Sequence, residues 1–359
     1  MSALFSPFAL GQLTLANRVV MAPLTRCRAD ADHVPTDIMA DYYSQRASAG
    51  LIVAEATMVM EGNSAFGARE PGIYSQAQVD GWKKITDAVH TKGGRIFLQL
   101  WHGGRACHPL LNPGAPQPVA PSPLAITGDE THTPEGKKPY VVPRELRDEE
   151  LPGIVEGFRK AAVNAQAAGF DGIEIHGANG YLLDEFLRDG SNKRTGPYGG
   201  PIENRARLLL EVVDAVCTVW DKKLVGVRIS PLNSYNDMRD SNPTELTRHV
   251  ATELNKRGIG YLHVMRADLL GIQKGEVLPV ARECFQGVLV GNMGYTREEG
   301  ESAISEGLLD AVAFGHQYVS NPDLVERLKA GVALVAPDAG TFYTNDAKGY
   351  TDYPALSAA

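Results

Sequence analysis

The chain has 359 residues, 43% of them hydrophobic and 22% charged, a composition that builds a large core and excludes an intrinsically disordered polymer. A formal net charge of −8, from 35 basic and 43 acidic residues, leaves no excess of basic groups with which to bind nucleic acid or an anionic membrane. Cys27, Cys107, Cys217 and Cys284 form no C-x-x-C pair, which argues against a zinc cage or an iron–sulfur cluster and for a reducing compartment. The first stretch, MSALFSPFALGQLTLANR, carries no basic residue before Arg18, and Pro7, Gly11 and Gln12 interrupt it. No signal peptide is expected there, and no apolar run reaches the roughly 18 residues of a membrane span, so a cytoplasmic location is the default.

Short apolar runs then recur along the chain. They are RVVMAPLT from Arg18, LIVAEATMV from Leu51, RIFLQLW from Arg95, FDGIEIHG from Phe170, LVGVRIS from Leu224, YLHVM from Tyr261, GVLVGNM from Gly287 and DAVAFG from Asp310. Their length and their Val, Ile and Leu content suit strands buried on both faces. Between them lie helical signals. Apolar spacing predicts helices near 76–92, 148–168 and 202–220. Asn242-Pro243 and Asn321-Pro322 each offer an N-cap followed by proline, with Gly258 and Gly331 as stops, and Thr296 with Glu299 has the spacing of a capping box.

Buried strands alternating with helices predict a single-domain (β/α)8 TIM barrel rather than an open doubly wound sheet. The open sheet would want a G-x-G-x-x-G after the first strand, and none is present. A typical barrel of about 250 residues leaves an excess, which is assigned to an N-terminal cap at 1–17, a long loop after strand three at 103–147 and a C-terminal tail at 332–359. The long loop holds nine of the 22 prolines and little helical periodicity, as in a lid or binding loop.

Active sites of such barrels lie at the carboxyl ends of the strands. Gln99 and Arg228 interrupt otherwise apolar strands, and a buried amide or guanidinium requires a partner. For Arg228 that partner is either a carboxylate within the strands, Glu174 or Glu55, or a ligand bearing carbonyl or anionic groups. His176, Asn179 and Tyr181 form an H-x-x-N-x-Y constellation. A helical turn after His176 would put His176 and Asn179 on one face as two donors for one carbonyl oxygen. Tyr181 suits a proton donor, since a phenol stays protonated at neutral pH. Gly294 and Gly315 close strands seven and eight, where barrels bind phosphate through backbone N–H groups, and Thr296 opens a helix beside them. The histidines have no metal-ligand spacing, so no metal site is expected.

These residues sit in motifs that resemble the old yellow enzyme family of FMN-dependent ene-reductases, and look closest to the bacterial N-ethylmaleimide, pentaerythritol tetranitrate and morphinone reductases. The motifs are APLTR at 22–26, EAT at 55–57, LQLWHGGR at 98–105, FDGIEIHGANGYLLDEFL at 170–187, SNKRTGPYGGPIENRARLLLE at 191–211 and DAVAFG…NPDL at 310–324. The resemblance implies that Ala22, Pro23, Thr25, Ala56, Gln99 and Arg228 surround the FMN isoalloxazine and that Gly294, Gly315 and His316 lie at its phosphate. It implies that His176 and Asn179 bind the electron-withdrawing group of the substrate, that Tyr181 donates the proton, and that Phe66, Trp101 and Tyr343 wall the pocket. NADPH or NADH would be the transient reductant. Electrophilic alkenes (enones, enals, maleimides or quinones) would be the acceptors, with nitro esters and nitroaromatics on the same flavin. The protein would act as a monomer or a homodimer.

Two positions depart from the family pattern. His316 stands where the family has a phosphate-clamping arginine, and histidine is not permanently charged, so FMN retention is expected to weaken as pH rises. Phe66 stands where the bacterial relatives have tyrosine, which keeps an apolar wall and removes a hydroxyl.

Overall fold

The computed structural model describes residues 2–67, 69–114 and 117–356, so positions 115–116 of the long loop and 357–359 of the tail lie outside the described residues. Eight parallel strands close on themselves: β1 (Val19–Met21), β2 (Leu51–Val53), β3 (Ile96–Trp101), β4 (Gly172–Gly177), β5 (Val225–Ile229), β6 (Tyr261–Met265), β7 (Val288–Asn292) and β8 (Ala311–Phe314), with β8 pairing back onto β1. Apart from the half-buried Val288, every residue in these strands is buried, as an apolar run covered by helices outside and packed side chains inside must be. The flanking helices are α1 (Asp37–Ser44), α2 (Gln76–Thr91), α3 (Leu151–Ala167), α4 (Arg207–Val216), α5 (Pro243–Arg257), α6 (Leu278–Cys284), α7 (Arg297–Ser305) and α8 (Leu324–Ala330). This is the (β/α)8 barrel that the strand pattern predicts.

Local signals account for several helix ends. Asn242 accepts from the Glu245 amide, Thr296 and Glu299 cap each other, and Gly258 and Gly331 end α5 and α8 in the left-handed region at φ 69° and 65°. The Asn321-Pro322 start is a correction: α8 begins at Leu324 with Asp323 as its cap residue. Asn321 is instead fully buried, where it accepts from the Val335 amide and donates to the Gln317 carbonyl. A tertiary partner for the side chain has replaced the local cap.

The N-terminal segment forms an antiparallel hairpin, Phe8–Leu10 with Leu13–Leu15. It buries Leu10 and Leu15, and its turn residue Gly11, at φ 57°, lies so near Lys223 that an added Cβ would come within 2.9 Å of the Lys223 Cβ. Lys223 precedes β5, so the hairpin covers the end of the barrel where strands start. The long loop after β3 is more ordered than its composition predicts. Val119–Ala120 pairs in parallel with Arg144–Glu145, and Glu130–Thr133 folds against Gly136–Pro139. Among the described residues no helix is long and apolar enough to cross a membrane.

Candidate active site

Side chains alternate along a strand, so Gln99, Glu174, His176, Arg228, Tyr261 and His263 share the barrel interior. Register places Gln99 opposite Glu174, and Arg228 opposite both His176 and His263. Glu174 is the hub of the lower layer. Its Oε1 accepts from Gln99 Nε2 at 2.8 Å, and its Oε2 accepts from the Tyr261 hydroxyl at 3.0 Å and from His263 Nδ1 at 2.8 Å. Arg228 forms no ion pair with Glu174 or with Glu55; its Nη2 donates to Asn292 Oδ1 at 2.9 Å, and its buried Nε has no partner. Glu55 is engaged elsewhere, by the Tyr43 hydroxyl and the Arg26 amide. Of the two partners open to Arg228, the carboxylate is therefore excluded at contact distance, and a buried guanidinium retains an orphaned donor. Asn292, the last residue of β7, fixes it: Asn292 Nδ2 donates to the Ala313 carbonyl, leaving Oδ1 for Arg228.

His176 is buried and its Nδ1 accepts from the Ala178 amide at 3.3 Å, so the ring proton is on Nε2. Burial first, and then Arg228 and His263, depress its basicity well below the usual range, which makes it a neutral donor. The predicted helical turn after His176 is not there. Asn179 adopts a left-handed φ of 60°, and the next helix starts only at Leu182. The Asn179 amide N–H donates to Ser230 Oγ at 2.8 Å, its carbonyl accepts from Asn236 Nδ2 at 2.9 Å, and its Oδ1 accepts from Asn233 Nδ2 at 2.9 Å. The residue is held from the loop after β5, not by its own segment.

Tyr181 is buried, with its ring edge-on to Trp101 and to His176, each at 5.2 Å between centroids. Burial, with Tyr235, Tyr140 and Tyr343 nearby, pushes its phenol well above the ordinary range, so it is protonated. Phe66 lies 5.9 Å from Trp101, 6.2 Å from Tyr181 and 6.3 Å from Tyr343. These rings form a continuous aromatic wall; Tyr343 is 60% exposed and stands at its mouth. The tail that carries Tyr343 is tied down by buried cations. Arg26 donates to the Phe342 and Gly349 carbonyls, and Arg28 donates to the Thr341 and Phe342 carbonyls. From the long loop, Tyr140 packs on the cluster of Ala56, Trp101 and Tyr181. Tyr140 and Tyr235 were not legible as site residues, because each arrives on a loop without a motif.

The other positions lie where the barrel strands end. Ala22 and Pro23 are buried directly after β1, Thr25 is half-buried, and Ala56 is buried beyond β2. Gly294, at φ 68°, has open space where a Cβ would be, and Gly315 precedes the short helix His316–Ser320. His316 is exposed, with its ring edge-on to Phe342 at 5.7 Å. The start of α7 is already occupied: the Thr296 amide donates to Glu299 Oε2 and the Glu299 amide to Thr296 Oγ1. An anion at this end is thus left to the Gly294 and Gly315 segments. The residues fit a flavin phosphate and pyrimidine edge: an open glycine cradle, and an orphaned buried guanidinium beside a buried glutamine. Among the described residues there is no cluster of three or more metal-ligating His, Cys, Asp or Glu groups.

Comparisons with known proteins identify the family of the chain. A model described as the NADH:flavin oxidoreductase / NADH oxidase family matches residues 3–334. A probable flavin mononucleotide-dependent alkene reductase of Leishmania infantum is 50% identical over 355 residues, 98% of this chain and 97% of that protein. The solved old yellow enzyme from Trypanosoma cruzi is 46% identical with a TM-score of 0.95, over 99% of both chains. Morphinone reductase in complex with tetrahydroNAD is 44% identical with a TM-score of 0.94, over 99% of this chain and 98% of that one. The barrel fold and these matches together define a flavin-dependent oxidoreductase. The chain belongs to the old yellow enzyme family of FMN-dependent alkene reductases.

Proposed function

We propose that this protein reduces the activated C=C bond of enones, enals, maleimides or quinones at the expense of NADPH or NADH, with nitro esters and nitroaromatics as further acceptors. One observation carries the reading: a neutral imidazole donor, His176, lies at ring-contact distance from a buried protonated phenol, Tyr181. FMN would be held by Ala22, Pro23, Thr25, Ala56, Gln99 and Arg228 around its ring system, and by Gly294, Gly315 and His316 at its phosphate. Bound there and reduced by the nicotinamide, FMN would supply hydride chemistry at the substrate.

The chain's own residues do the rest. His176 Nε2–H and the Asn179 amide hold the carbonyl oxygen, where negative charge grows as the double bond is reduced, and such donors typically contribute about 2.7–4 kcal/mol to the transition state. Tyr181 gives its proton to the α carbon, and solvent restores it afterwards. Phe66, Trp101 and Tyr343 exclude water and stack on flat acceptors. The nicotinamide would dock over the same face and leave before the acceptor enters; that a nicotinamide analogue binds a relative, morphinone reductase in complex with tetrahydroNAD, supports the docking.

The test is anaerobic. The purified protein should be yellow, lose its flavin colour on addition of NADPH or NADH, and regain it when cyclohexenone is added. A colourless protein that cannot be reconstituted with FMN, or a reduced flavin that no enone reoxidises, would overturn the reading.

A further inference from the structure

Asn179 can serve a substrate oxygen only if its NH2 group, and not its carbonyl, faces the pocket, and an amide in isolation has no preference between the two. The loop after β5 removes the ambiguity. Asn233 Oδ1 accepts from the Leu269 backbone N–H at 3.2 Å and stands 3.5 Å from the Tyr235 backbone N–H. Backbone N–H groups can only donate, so this end of the Asn233 amide is its oxygen. Its nitrogen therefore points at Asn179, where it donates to Oδ1 at 2.9 Å. With that oxygen occupied, both Asn179 Nδ2 protons remain, and they donate to no protein acceptor among the described residues.

We infer that Asn233 is a positioning residue, which orients the Asn179 amide so that the site presents a donor to the substrate oxygen. The chain of bonds runs from the Leu269 N–H through one amide to the next, and each link polarises the following one. Its far end is rigid. The Asn233 carbonyl accepts from Nη2 of the fully buried Arg188 at 2.6 Å. Ser234 donates through both its N–H and its Oγ to Asp268, whose carboxylate also accepts from the Leu270, Ile272 and Gln273 amides. The loops after β5 and β6 are thereby joined, and Asn233 stands at the junction. The backbone of Asn179, in a left-handed conformation that asparagine tolerates better than most residues, is pinned separately by Ser230 and Asn236. Orientation of the amide thus falls to Asn233 alone.

This inference rests on the proposed function, and the substitution Asn233→Asp separates the two. Aspartate keeps the size of the side chain and its acceptor for Leu269, but presents a second oxygen to Asn179. The Asn179 amide must then turn, giving its NH2 to the carboxylate and its oxygen to the pocket. The probe is p-nitrophenol, whose oxygen stands for the substrate carbonyl, titrated into FMN-loaded protein and followed by flavin absorbance. N233D should bind it about a hundredfold more weakly, the order of loss seen when an oxyanion donor is removed. N233A, which removes the constraint without reversing it, should lose about tenfold. In an N179A background neither substitution should cost anything further.

Equal losses in the two backgrounds, or an N233D dissociation constant within twofold of the parent, would overturn the inference, because a merely structural role would act without Asn179. If N233D does not fold, the N233A cycle gives the same decision. Failure of the unsubstituted protein to bind the phenol and to reduce any enone would instead overturn the proposed function, and the inference with it.

Discussion

Glu174 and His263 share a hydrogen bond of 2.8 Å between Oε2 and Nδ1, and neither side chain reaches solvent. Burial would raise the Glu174 pKa, yet the His263 ring, then Arg228 and Gln99, hold it below the usual carboxylate range. Burial keeps His263 less basic than usual, and its Nε2 has no partner, so the pair is an ionised carboxylate on a neutral imidazole. The positive charge that balances it is Arg228. Replacing Glu174 by Ala leaves three buried donors and one guanidinium uncompensated. Such a change should cost about 3–5 kcal/mol, measured as a shift in the urea midpoint of the apoprotein, and Glu174→Gln should cost less because it retains an acceptor.

Among the described residues Arg228 is committed to a single protein hydrogen bond, with Asn292. The substitution Arg228→Met should fold, because the methionine fills the volume of the buried stem. Its FMN affinity should fall by about 10–100-fold, the value of one charge-assisted hydrogen bond at about 1.5–3 kcal/mol. Quenching of FMN fluorescence on titration with apoprotein gives the constant directly.

Replacing Tyr181 by Phe removes the proton donor and keeps the ring that packs on Trp101 and His176. Reoxidation of reduced protein by cyclohexenone should slow by about 10²–10⁴-fold, while reduction by the nicotinamide is preserved. Stopped-flow measurement of the two half-reactions separates them. Equal losses in both would remove Tyr181 from the role.

Glu185 lies on the helix that follows Tyr181, and burial, opposed by Arg105, pushes its carboxyl up to about 8. Glu55 is raised the same way, to about 7. A carboxyl with a raised folded-state pKa contributes its stability fully below the unfolded value of about 4.5 and loses it as pH rises towards 8. Stability should therefore decline between pH 5 and pH 8, with Glu185 contributing about 1.4 kcal/mol per pH unit across that window. Glu185→Gln does not titrate and should flatten the slope, as read from denaturant midpoints at four pH values.

His316 opens the short helix beside Gly315 and is exposed. Replacing it by Arg adds a permanent, bidentate cation at this position, and should tighten FMN about tenfold or more. An unchanged dissociation constant in the same fluorescence titration would place His316 away from the phosphate.

Much of the architecture was legible because barrel strands are buried on both faces and so read as uninterrupted apolar runs. Polar residues within those runs, Gln99 and Arg228, stood out for the same reason: a strand interior tolerates them only with a partner. Other features had no such signature. Asn233 and Tyr235 sit in SPLNSYNDM, which has the look of an ordinary polar loop. Tyr140 comes from a proline-rich excursion, and Asn321 looked like a helix cap, yet its side chain is taken by the Gln317 carbonyl one turn back and the Val335 amide beyond the next helix.

From residue order alone came the barrel, its strand ends, the flavin family and the identity of the His176, Asn179 and Tyr181 group, since each depends on periodicity or on a contiguous motif. Tertiary structure alone decided that Arg228 carries an orphaned donor, that His176 is neutral with its proton on Nε2, and which way the Asn179 amide faces. Those are properties of hydrogen bonds between segments as far apart as residues 179, 233 and 269. Local spacing cannot specify them, because a side chain's orientation and protonation are set by whatever the fold brings within about 3 Å of it.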